Sequence, residues 1–163
     1  YYGHHISIDG IWGPLTEAAL RAFQGKEKIE VTGTPDLVTQ THLFAPMQRA
    51  TSMTVAPKIF TLRQWILVFA QRHLAEHPIE IGGQNRGPWV RLYMDGHEGR
   101  QWRWCAGFVS YIIRQACQIT GDTLPILSSF SCNEIAENAD MHGLLTPDLG
   151  RTQPGDLFLL NRE

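Results

Sequence analysis

The residues whose types and spacing could do chemistry cluster in residues 102–116, WRWCAGFVSYIIRQA. Cys105, Phe108, Val109, Ile112, Ile113 and Ala116 fall at i, i+3, i+4, i+7, i+8 and i+11, which predicts a buried helix with a thiol in its first turn. A helix N-terminus presents unpaired N–H groups and a partial positive charge, and both favour a thiolate over a thiol. Two readings of Cys105 follow: a nucleophile, or a small hydrophobe packed on the apolar face of its own helix. As a nucleophile it would need a base to take its proton and return it to the leaving group. Histidine is the usual choice, because its pKa lies near neutrality.

Other side chains near this stretch suit the same chemistry. Gln101 could aim its amide at a developing oxyanion, with the Cys105 backbone N–H as a second donor. Trp102 and Trp104 could line a groove for a glycan or peptide, or pack against the start of the helix. A rival motif is His73-Leu-Ala-Glu76-His77, whose H-x-x-E-H spacing matches inverted zincins. Pro78 stops the helix directly after its second histidine, no downstream carboxylate stands out as a third ligand, and His73 continues an apolar face. No metal and no cofactor is therefore assigned. His4-His5 and the loop Asp95-Gly96-His97-Glu98 read as turn residues, and His142 as the C-terminal end of a helix.

Composition narrows the function classes. With 163 residues, 43% hydrophobic and 18% charged, the chain has the make-up of an ordinary globular protein with room for one core or two small domains. A net charge of -2 gives no basic footprint for nucleic acid or an anionic membrane surface. No apolar run approaches the length of a membrane span, and no signal-peptide pattern opens the chain. Cys105, Cys117 and Cys132 are three in number without CxxC spacing, so neither a disulfide framework nor a zinc knuckle is indicated and at most one pair could form. Cys105 and Cys117 lie twelve residues apart on one helix, which at about 1.5 Å rise per residue is far beyond disulfide reach.

The elements that must position these residues read as follows. Residues 1–45 form a small helical module: Gly13-Pro14 opens a helix from Leu15 to Gln24, with Ala19, Leu20 and Phe23 inside. Gly25 and Gly33 punctuate the link, and Thr34-Pro35, a cap followed by an N1 proline, opens a second helix toward Leu43. Residues 46–60, with Pro46 and Pro57, suit a linker. A second domain, residues 61–163, starts at a Thr61/Gln64 capping box, and its helix carries Leu62, Trp65, Ile66, Phe69, Ala70 and His73 on one face. Residues 82–100 read as a glycine-rich loop, and Ser131/Glu134 as a second capping box for a helix ending at Gly143. Leu157-Phe158-Leu159-Leu160 reads as a buried strand after the turn Pro154-Gly155-Asp156, with no second strand of comparable quality upstream.

Two stretches carry family resemblances. IDGIWGPLTEAALRAFQ with VTGTPDLVTQTHL resembles the three-helix peptidoglycan-binding module often attached to wall hydrolases, without its first helix. Trp-Cys-Ala-Gly-Phe-Val-Ser-Tyr resembles the nucleophile helix of the CHAP family, cysteine- and histidine-dependent amidohydrolases/peptidases of papain-like fold, and Asn85-x-Gly resembles a segment preceding that helix. The resemblance implies an α+β protein: a helical peptidoglycan-binding module followed by helices on an antiparallel sheet, most of whose strands would follow Glu163. It implies Cys105 as nucleophile, Asn85, Trp102 and Trp104 as substrate-binding candidates, peptidoglycan as partner, and an extracellular or wall-associated site of action. The family's base histidine follows the Pro-Gly-Asp turn; no histidine follows His142 here, so the base stays unassigned. The function expected is hydrolysis of a peptidoglycan amide by the completed domain, and the alternative is a non-catalytic peptidoglycan-binding protein. Oligomeric state is open.

Overall fold

The computed structural model describes residues 3, 6–52 and 60–160. The chain divides into two compact units, Tyr1–Arg49 and Ala50–Glu163. The paired histidines His4-His5 and part of the expected linker, residues 53–59, lie outside the described residues.

The first unit is built on α1 (Pro14–Glu27) and most of α2 (Leu37–Thr51). Proline at the first position of α1 costs no hydrogen bond, because that N–H would have no intrahelical acceptor. The buried side of α1 is Leu20, Phe23 and Gln24, and Gln24 organises the loop that follows. Its amide NH2 shares its two hydrogens among Thr32 Oγ1 (2.9 Å), Thr34 O (3.1 Å) and Thr39 Oγ1 (2.9 Å), while its oxygen accepts from the Gly33 N–H (2.8 Å). A single polar side chain thus satisfies a loop that has few apolar groups to bury. The cap of α2 is Asp36, whose carboxylate accepts from the Thr39 N–H (2.8 Å), rather than Thr34 two residues earlier. That N–H holds the Asp36 carboxyl below its ordinary value. The helix runs through Pro46 to Thr51, so the first residues of the expected linker are helical; one lost backbone bond does not end a helix of 15 residues.

The second unit is a helical assembly centred on α5 (Cys105–Thr120). Its main partner is α3 (Leu62–Ala75), and Trp65 and Phe69 of α3 meet Ile112 and Ala116 of α5 in the core. Thr61 and Gln64 cap α3 reciprocally. A short helix α4 (Pro88–Tyr93) lies inside the stretch expected to be loop, and α6 (Cys132–Met141) and a 3-10 turn (Leu149–Arg151) complete the unit. Ser131 caps α6 by accepting from the Glu134 N–H.

The α+β architecture implied by the CHAP resemblance is overturned: the described residues contain six α-helices, one 3-10 turn and no strand. The segment Leu157-Phe158-Leu159-Leu160 is not a buried strand; Phe158 is 72% and Leu160 67% exposed. A strand exists only through a partner that takes up its N–H and C=O groups, and among the described residues there is none. The turn before it is anchored by an Arg63–Asp156 ion pair on α3.

Candidate functional site

Cys105 is the first residue of α5, and its thiol is exposed. The expected apolar face holds at Ile112, Ile113 and Ala116 but is rotated in the first turns, where Ala106, Gly107 and Ser110 are buried while Phe108 and Val109 are half-buried. The rotation has a physical cause at Gly107, where an added Cβ would lie 2.3 Å from Met94 Sδ and 2.6 Å from the Tyr93 carbonyl oxygen. The end of α4 packs directly on the α5 backbone there, so the smallest residues turn inward and Cys105 turns out. The reading of Cys105 as a buried small hydrophobe does not hold.

No side chain caps α5, leaving its first-turn N–H groups available at the thiol. Cys105 opens onto a cleft of about 680 Å³ whose walls include Leu74, His77, Ile79, Asn85, Trp104 and Phe108. Of the residues singled out from sequence, the structure brings Cys105, Asn85 and Trp104 to this cleft, whereas Gln101 and Trp102 do not line it. Gln101 is exposed in the turn closed by the Trp102 N–H bond to Gly99 O (2.8 Å). Trp102 stacks on His97 at 4.1 Å between ring centroids and meets the edge of Phe130.

The cleft wall is held by polar contacts. Trp104 donates its indole N–H to Glu80 (2.9 Å) and stacks on Tyr93. That indole, and behind it the Asn85 backbone N–H, keep the Glu80 carboxyl below its ordinary value. Asn85 adopts φ +52°, a conformation that asparagine tolerates better than most residues. Its side-chain amide donates to Arg100 O (3.0 Å) and its backbone carbonyl accepts from the Gly99 N–H (2.7 Å), clamping the two ends of the loop. Glu98 ties the same loop to α4 by accepting from the Gly87 N–H (2.9 Å) and Arg91 (2.7 Å), which lowers its carboxyl below the usual value, the Gly87 N–H contributing most.

His73 and His77 part company. His73 is fully buried, with Nδ1 2.8 Å from the Tyr93 hydroxyl and Nε2 3.0 Å from Gln115 Oε1. The amide oxygen can only accept, so Nε2 donates to it and Nδ1 accepts from the hydroxyl, which leaves no lone pair for a metal. Burial lowers the His73 pKa, partly offset by the Gln115 bond. His77 is exposed at φ +50° and lines the Cys105 cleft. No group of three or more candidate metal ligands is assembled among the described residues. His142 bonds to its own helix through Asn138 O (2.7 Å).

Sequence reasoning missed Cys132. Its sulfur lies 3.5 Å from Cys105 Sγ, and no imidazole is hydrogen-bonded to Cys105 among the described residues. The thiol of Cys132 is raised above its ordinary value by burial first and by Cys105 second. The available signal was that Cys132 directly follows a helix cap, as Cys105 opens a helix; what brings the two helix starts together is the fold of the loop between them. A second cleft, about 810 Å³, lies along Ile66, Ile113, Ile135 and Leu157 and holds none of the candidate site residues.

A family model described as a putative peptidoglycan binding domain matches residues 1–43. The match supports a peptidoglycan-binding module at this end of the chain, with peptidoglycan as its partner and the cell wall as a consistent place of action. No curated protein and no solved structure matches the chain. No helix among the described residues is long and apolar enough to cross a membrane.

Proposed function

We propose that the protein acts on the bacterial cell wall, binding peptidoglycan through its first unit and hydrolysing a peptidoglycan amide with Cys105. Binding rests on the match to residues 1–43. Ile11, Trp12 and Leu15 in that stretch are exposed and offer a face to sugar rings and peptide stems. Hydrolysis rests on one observation: an exposed thiol at the uncapped start of a helix, at the mouth of a cleft that also holds an imidazole.

In this reading His77 takes the Cys105 proton and the thiolate attacks the amide carbonyl carbon. The first-turn N–H groups of α5 stabilise the resulting oxyanion. The C–N bond then breaks, the amine leaves with the proton held by His77, and water hydrolyses the thioester to release the acid and restore the thiol. Trp104, fixed by Glu80 and Tyr93, forms one wall for the substrate. Tethering by the first unit raises the concentration of cleavable bonds near the site.

Clearing of a purified peptidoglycan suspension, read beside co-sedimentation, tests this. Cys105→Ala should abolish clearing, by roughly a thousandfold or more in rate, and His77→Gln should slow it by about a hundredfold or more, while both variants still sediment with the polymer. The contact of Cys105 with Cys132 favours the second reading, a non-catalytic wall-binding protein. Under that reading the reduced wild-type chain sediments with peptidoglycan and never clears it.

A further inference from the structure

Cys105 and Cys132 occupy the same position in two helices, each the first residue, and both thiols are exposed. Their sulfurs are 3.5 Å apart although 27 residues separate them. The proximity is imposed by buried hydrogen bonds that dock the intervening loop. Ser110 on α5 donates its hydroxyl to Ser129 O (2.8 Å) and accepts from the Ser129 N–H (3.0 Å), and Ser110 and Ser129 are both buried. The Ser129 hydroxyl donates to the Glu134 carboxylate and accepts from the Ser131 N–H (2.9 Å). Trp102 meets the edge of Phe130 across the same seam. These contacts run from just beyond Cys105 to just beyond Cys132, so the two helix starts are held together from both sides.

We propose that Cys105 and Cys132 form a reversible dithiol–disulfide pair within one chain, which closes when the protein meets a small-molecule disulfide and reopens with a thiol reductant. A disulfide bond is about 2.05 Å long, so each sulfur has to move by less than an ångström, within reach of side-chain rotation at the first turn of a helix. With glutathione disulfide as oxidant, one protein thiolate attacks a glutathione sulfur and displaces one glutathione thiolate. The second cysteine gives up its proton and attacks the protein-side sulfur, the Cys105–Cys132 bond forms and the second glutathione leaves. Two electrons and two protons pass from the pair to the glutathione. Cys117 takes no part: it is buried, its thiol donates toward Thr123 O, and burial raises its pKa. A further consequence, which rests on the proposed function, is that the closed pair removes the nucleophile and switches hydrolysis off.

The test equilibrates the full chain in glutathione buffers of increasing disulfide fraction, alkylates the remaining thiols after acid quenching and unfolding, and maps peptides without reduction. The expected result is a linked Cys105–Cys132 peptide pair, two thiols lost together, Cys117 still alkylatable, and full reversal by reductant. The Cys132→Ser variant should instead accumulate glutathione on Cys105. Glutathione on Cys105 of the wild-type chain without the linked pair, unchanged free thiols at the most oxidising poise, or a link only between two chains would overturn the proposal. Mapping does not depend on catalysis. A linked pair in a chain that never clears peptidoglycan when reduced defeats the hydrolase reading and leaves the redox pair standing; clearing without a link does the reverse.

Discussion

At Lys28 a lysine does what glycine usually does: it ends α1 at φ +57° and ψ +35°, its N–H bonding back to Gln24 and Gly25 carbonyls. A residue with a Cβ pays about 1 kcal/mol or more in this left-handed region, which glycine enters freely. Lys28→Gly should therefore stabilise α1 by about 1 kcal/mol, slowing amide hydrogen exchange along the helix about fivefold; unchanged exchange would show that the αL strain is relieved elsewhere. Residue-level signals in the sequence fared unevenly for a physical reason. Pro14 at the first turn and the Thr61/Gln64 box act through neighbours a few positions away, and they do what their spacing predicts. Asp36 displaces Thr34 as the cap because the α2 backbone turns helical only at Leu37, and the hub role of Gln24 depends on a loop that returns over it.

Between elements, the decisive approach is that of α4 to α5. Hydrophobic periodicity weighs side chains by apolarity, so it placed Cys105 and Phe108 on the inner face and could not register that Gly107 admits a neighbouring backbone. A six-residue helix such as α4 carries too few turns for any period to show, and its stretch reads as loop because glycines flank it. Gly107→Ala would put a methyl group into the Met94 sulfur and the Tyr93 carbonyl. The methionine can swing aside but the backbone cannot, so the expected cost is about 2–3 kcal/mol, seen as a lower urea midpoint. Because α4 carries Tyr93, on which Trp104 stacks, the same variant should disturb the cleft beside Cys105. A midpoint equal to wild type would mean that the helices are not in this close contact.

For the whole molecule, stability in mild acid should follow His73. Its pKa in the folded chain lies below the ordinary 6.5, burial being the main cause. The folded state therefore binds fewer protons than the unfolded state once the pH falls below that value, and stability present above it is progressively lost as the pH drops toward the folded pKa. Urea midpoints of the second unit should fall between about pH 7.5 and about pH 5.5, and His73→Gln, which keeps a donor and an acceptor but does not titrate, should flatten that decline even if it lowers stability overall. An undiminished slope in the variant would assign the effect to other groups. The amino-acid sequence by itself determined the starts of α1, α3 and α6 and the peptidoglycan-binding resemblance of its first residues, because caps, prolines and local motifs act over a few positions. Tertiary structure alone decided that no sheet forms among the described residues, that Cys105 is exposed on a cleft that His77 also lines, and that Cys132 meets it across 27 residues. Those outcomes depend on which backbones can approach one another and which buried polar groups find partners, and neither is a property of any one segment.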